Sequence, residues 1–227
     1  MKQILLPCCL FMFLSTNTFS QVNPKYNFTI GLIGFSYLQL PQIADQDQQK
    51  YLTNYFSGAL LKLNDHQISY RLSGNFIHNN INFQSDCTNC NLDNGRITDY
   101  NISIGFEKNL NYARIQPYFA FDAGYRYNRF SGIQNSINLQ RKIYATDALE
   151  TIKDGFTAAP AFGIKINPID EISIFAEGGF QYCISYLHTQ TISQDLSATL
   201  TQTTGHKQEI LFKPITIGIQ FHLGNKD

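Results

Sequence analysis

Charge is scarce in this sequence, and it leans to neither sign. The 227 residues carry 17 Lys and Arg against 17 Asp and Glu, together only 15% of the chain. A nucleic-acid-binding chain normally shows a basic excess or a basic stripe, so this balance argues against that class of partner. So little charge also argues against a coiled coil, and 43% apolar residues argue against a disordered chain. Tryptophan is absent, and the aromatics are 13 Tyr and 18 Phe, both of which favour strands. After the N-terminal segment there is no run of 18 apolar residues, so no transmembrane helix is expected. Nucleotide loops of the G-x-x-x-x-G-K or G-x-G-x-x-G type are missing, and so is a G-x-S-x-G nucleophile elbow. The length suits one domain with a real core.

What is present begins with a targeting segment. Lys2 supplies a positive start, and Ile4 to Leu14 is an apolar run of 11 residues, too short for a bilayer core of ~30 Å. Thr18 and Ser20 are small residues at −3 and −1 of a cleavage before Gln21. Residues 1–20 therefore read as a secretory signal peptide, and 21–227 as the mature chain. Lipidation at Cys8 or Cys9 is disfavoured by the short apolar run before them. An uncleaved anchor is disfavoured by length.

The mature chain has a period of two, segment after segment. Tyr26, Phe28, Ile30 and Leu32 alternate with Asn27, Thr29 and Gly31. A weaker segment runs from Tyr51 to Leu63. The third carries Ile68, Tyr70, Leu72 and Phe76, the fourth Tyr100, Ile102, Ile104 and Phe106. The fifth sets Ile115, Pro117, Phe119, Phe121, Ala123, Tyr125 and Tyr127 against a face containing Gln116, Tyr118, Ala120 and Gly124. Segments from Phe156 to Ile166, Ile172 to Ile184 and Ile215 to Leu223 complete eight. Each is near or somewhat above the ~9–11 residues that cross a bilayer as a tilted strand. Short links (64–66, 108–111, 167–170) alternate with long polar ones (39–50, 78–96, 128–154, 187–208), so all the long links should emerge at one end.

Alternation alone does not say which face meets water. The polar face is rich in Gly, Ser, Thr, Ala and Asn. Its charges are few: Arg71, Glu107, Arg114, Asp122, Arg126, Lys165 and Glu177. A solvated face would carry many more Lys and Glu, whereas small residues suit the crowded interior of a narrow barrel. The apolar face carries Phe and Ile in mid-strand and Tyr near strand ends, as in the aromatic girdles of membrane barrels. In lipid, only a closed barrel leaves no unpaired sheet edge. The expected fold is all-β, an eight-stranded antiparallel up-and-down transmembrane β-barrel spanning 21–227.

The final segment Ile215-Thr216-Ile217-Gly218-Ile219-Gln220-Phe221-His222-Leu223, the signal ending Thr18-Phe19-Ser20 and the eight amphipathic segments carry a resemblance. The chain resembles the small eight-stranded outer-membrane β-barrel family of Gram-negative bacteria, the OmpA/OmpX-like type, a porin-family β-barrel domain. One departure is the tail Gly224-Asn225-Lys226-Asp227, where many members stop at an aromatic. The resemblance implies an outer-membrane location, contact with outer-membrane lipid, and a last strand read by the barrel-insertion machinery.

Chemistry is harder to read. Cys87-Thr88-Asn89-Cys90 could be a redox pair or half a zinc site, but no second C-x-x-C accompanies it. In an oxidising compartment a small loop disulfide between Cys87 and Cys90 is the simpler expectation, with Cys183 left as a buried thiol. A metal site from His78, Cys87 and Cys90 is the weaker alternative. If the chain were a lipid-modifying enzyme, the best group would be His188, Ser185 and Glu177, although an ordinary loop histidine is the plainer account. No catalytic residue, metal or cofactor is assigned. The charges of the polar face are expected to form an ion-pair network plugging the bore, with Glu107 and Arg114 facing each other across the 108–111 turn. The alternative is a gate in a narrow channel for ions or small solutes. The function expected is a non-enzymatic barrel whose long external loops bind an external ligand or envelope protein.

Overall fold

The computed structural model describes residues 26–42, 51–65, 67–84, 90–137, 143–194 and 198–225. The signal segment, Cys87 and most of the C-x-x-C loop lie outside the described residues. Eight strands follow one another: β1 Tyr26–Gln39, β2 Tyr51–Asp65, β3 Ile68–Gln84, β4 Cys90–Asn109, β5 Ile115–Ile137, β6 Ile143–Ile169, β7 Ile172–Ser193 and β8 Leu200–Asn225. Each pairs antiparallel with its chain neighbour, and β1 closes on β8 from Tyr26↔Asn225 to Tyr37↔Ile215. The three short links and both strand termini gather at one end, and the other four links at the opposite end.

The period of two is realised as an inside-out barrel. Ile102 and Ile104 are 64% and 67% exposed, while Ser103 between them is 5% exposed. Outward Ile68, Tyr70, Leu72 and Phe76 span nine residues of β3. At ~3.3 Å per residue and a tilt of ~40° that is a band of roughly 23 Å, close to the ~25 Å apolar belt of membrane barrels. At its upper margin aromatic side chains touch across strands: Tyr37 stacks on Tyr51 at 5.1 Å, Phe76 lies 4.9 Å from Tyr100, and Tyr125 meets Phe156 at 5.8 Å. Above them polar partners appear, as where the Tyr125 hydroxyl donates to Asp154 at 2.6 Å.

Two expectations need correction. The links expected at 78–96, 128–154 and 187–208 are mostly strand. Pairing continues to Gln84↔Leu92, Ile137↔Ile143 and Ile192↔Leu200, so the hairpins leave the belt as β-ribbons. Their polar composition reflects water on the outside, not loss of ladder hydrogen bonds. The short link after β4 also falls later than 108–111, because Lys108 and Asn109 still pair with Phe119 and Tyr118.

Register breaks explain where the alternation fades. The β1 pairings slip between Ile33 and Phe35. Opposite this, Phe56 adopts φ 50° and is 87% exposed beside the outward Tyr55. This bulge is why the second segment alternates weakly. A second slip lies between Glu177↔Thr216 and Gly179↔Lys213, adding one residue to β8 at Pro214. Proline has no ladder donor and is tolerated at such a bulge. Inward positions are odd before it (Glu209, Leu211) and even after it (Thr216, Gln220).

Candidate functional site in the bore

Eight strands leave an interior that side chains can just fill. Here they fill it in layers. In the central layer Glu107, 1% exposed, accepts from Lys62 and, at 2.6 Å, from Lys165, with the Arg71 guanidinium 3.5 Å away. Arg71 also donates to Glu177 at 2.7 Å and to Asp122 at 2.8 Å. The Tyr118 hydroxyl donates to Glu177 at 3.2 Å, and its ring lies 5.6 and 5.2 Å from the Lys62 and Lys165 ammoniums. Tyr118 fits because Gly163 faces it: a Cβ there would stand 2.2 Å from the ring. Three cations meet three carboxylates, with Lys213 a further 3.7 Å from Glu177.

Toward the ribbon end comes a small chamber of about 70 Å³ lined by serines, including Ser73 and Ser103, which bond to each other at 2.7 Å. Above it, Arg126 pairs with Asp99 at 2.8 Å, and Asn128 donates to the same carboxylate at 2.6 Å. Then Lys153 pairs with Glu209 at 3.0 Å and also donates to the carbonyl of Gln42. The segment after β1 thus turns into the bore. Its Leu40 joins Ile81, Ile97, Phe130 and Leu149, all at most 4% exposed, in an apolar cap.

Of the seven charges predicted for the bore, Arg71, Glu107, Asp122, Arg126, Lys165 and Glu177 lie inside it. Arg114 does not. It is exposed in the link before β5, where its guanidinium donates to the Pro168 carbonyl at 3.2 Å. Glu107 is opposite Ala120. The later turn puts Arg114 outside the ladder, so the expected Glu107–Arg114 pair does not form. Sequence reasoning missed Lys62, Asp99, Lys153 and Glu209. Lys62 carried a signal, a lone charge between Leu61 and Leu63. Asp99 shares the parity of Ser103 and Glu107. Lys153 and Glu209 were hidden by the loop assignment and by the phase change at Pro214.

The enzyme candidates do not assemble, and the metal candidate rests on Cys87, which lies outside the described residues. Ser185 and Glu177 both face inward but are eight residues apart on β7, roughly 26 Å at ~3.3 Å per residue. His188 contacts Gln190 at 2.8 Å. His78 bonds Thr98 at 3.0 Å. Cys183 is buried and not in a disulfide.

At the short-turn end the bore widens into a vestibule of about 560 Å³. Its wall holds a hydrogen-bond chain: Ser69 donates to Asn64, Asn64 to Thr29, and Ser173 to Asn167. His222 sits between, its Nδ1 2.9 Å from Thr29 Oγ1 and its Nε2 2.5 Å from Ser173 Oγ. Because the Ser173 proton goes to Asn167, Nε2–H must donate and Nδ1 must accept from Thr29. Ser173 is therefore an acceptor toward the histidine, the reverse of a nucleophile and its base.

No family model matches the chain, and no curated protein does. Among solved structures, the crystal structure of the outer membrane protein OprG from Pseudomonas aeruginosa is similar, with a TM-score of 0.50 and 12% identity over 88% of this chain and 99% of that one. At that identity the likeness speaks for the fold alone. Together with the closed ring and the apolar belt, it establishes the fold of this chain as an eight-stranded antiparallel up-and-down transmembrane β-barrel.

Proposed function

We propose that this chain is a non-enzymatic outer-membrane barrel, exported by the signal segment 1–20, with a sealed bore and with recognition carried by the hairpins that project beyond the belt. The observation that carries this is the double closure of the bore. The charged layer around Glu107 and Arg71 and the apolar cap around Phe130 and Ile97 stand in series along it. Buried charges so paired resist separation, because breaking a buried pair costs about 3–5 kcal/mol. The apolar cap offers a permeating ion nothing to replace its water. Projecting elements on a rigid barrel are where binding function usually resides. The purified protein in planar bilayers should show almost no conductance. A stable, large open state in the wild type would reject the seal and leave the narrow-channel alternative.

A further inference from the structure

We infer that the vestibule at the short-turn end is a binding site for a small oxyanion that also carries a hydroxyl or amide donor. This goes beyond the recognition proposed for the opposite end of the barrel and does not depend on the bore being sealed. In the wall of the vestibule the hydroxyl and amide protons of Ser69, Asn64 and Ser173 are spent within the chain of hydrogen bonds that runs through His222 to Asn167. The floor is different. Lys62 and Lys165, 3% and 5% exposed, line it with their ammoniums flanking one carboxylate, Glu107. Each ammonium has three donors and gives one to Glu107, so donors remain on both lysines.

Gln220 adds an independent sign. It also lines the vestibule, is 1% exposed, and neither its Nε2 nor its Oε1 has a partner among protein atoms. A buried amide left so carries a desolvation penalty that a ligand would relieve. Asn109 Oδ1, lining the same space, is likewise buried without a partner. The unmet groups have a pattern: lysine and amide donors for an anionic oxygen, and two amide oxygens for a ligand N–H or O–H. The free lysine donors suit the oxygens of a carboxylate or a phosphate ester.

The test is isothermal titration of the refolded full barrel in detergent micelles. The probes are lactate and glycerol 3-phosphate, with acetate and inorganic phosphate as counterparts lacking the hydroxyl arm. Saturable binding of lactate or glycerol 3-phosphate is expected, several-fold tighter than its counterpart; whichever responds identifies the anion class. Gln220→Leu should weaken it at least tenfold while the barrel keeps its heat-modifiable gel shift, because the Gln220 side chain makes no hydrogen bond within the protein to lose. Asn109→Leu, at the wider end, should erase the preference for the hydroxyl-bearing probe and serves if Gln220→Leu does not fold. The inference is overturned by no saturable binding of either probe, by binding unchanged in a folded Gln220→Leu and Asn109→Leu pair, or by a crystal structure grown with the probe in which ordered water alone satisfies Gln220.

Discussion

At the scale of single residues, Glu107 and Gly163 show how the bore is built. Glu107 is the shared acceptor for Lys62 and Lys165. Glu107→Gln leaves two buried ammoniums without their anion, and the expected loss is about 3–5 kcal/mol, read as a fall in the denaturant midpoint of the folded barrel. Adding Lys165→Met should recover part of that loss, because it removes one of the stranded charges. A neutral outcome for Glu107→Gln would mean that water, not the carboxylate, solvates the lysines. Gly163 matters for shape. Its missing Cβ is the space into which the Tyr118 ring fits, and Tyr118 is held from behind by Glu177. Gly163→Val should force the ring away, break the bond to Glu177 and cost about 1–3 kcal/mol, the usual penalty for overpacking a filled interior. Thermal unfolding followed by gel migration would show it.

At the scale of an element, β8 is two half-strands of opposite phase joined at Pro214. Before the bulge Ile210 and Phe212 face out, and after it Ile217 and Ile219 do, so both halves present apolar side chains to the belt. Deleting Pro214 would remove the extra residue and turn one half over. Either Leu211 and Glu209 would go to the lipid side or Gln220 and Thr216 would. A one-residue slip exchanges every side chain of a strand, so the deletion should fail to insert. Pro214→Ala keeps the residue count and should insert like the parent. Equal insertion by both variants, seen in membrane fractions, would show that the bulge does not set the phase.

At the scale of the whole molecule, closed pairing supplies the strength, and nothing at the ribbon tips is needed for it. Cys87→Ser with Cys90→Ser should therefore insert and resist denaturant like the parent, since a bridge across so small a ring adds little to the loop-closure term. Replacing Cys183 with Ala as well gives a background for mapping orientation. A single cysteine at Ala198, exposed at the ribbon end, should react with an impermeant maleimide on intact cells. One at Asp170, exposed at the short-turn end, should react only after the cells are opened. Labelling in the opposite order would invert the barrel in the membrane.

The sequence by itself determined the class of fold and the side assigned to most residues. Alternation at Ile102-Ser103-Ile104, where a charge-poor polar face opposes Phe and Ile, specifies an apolar exterior because a strand's side chains have a strict period of two. It also singled out Arg71, Glu107, Asp122, Arg126, Lys165 and Glu177 as lone charges on that polar face. Only the tertiary structure decided which of them meet. Partners such as Arg71 and Glu177 are 106 residues apart, on strands that are not neighbours, and face each other only because the ring closes. It alone excluded Arg114, whose fate rests on a turn falling a few residues later than its polar composition suggests. It also revealed the apolar cap and the strap at Leu40, because Ile97, Phe130 and Leu149 lie where the outer face is polar too, and a window along the chain sees no alternation there. Local periodicity reports the face of a strand, whereas contacts across a bore are set by stagger, bulges and closure, which are properties of the whole ring.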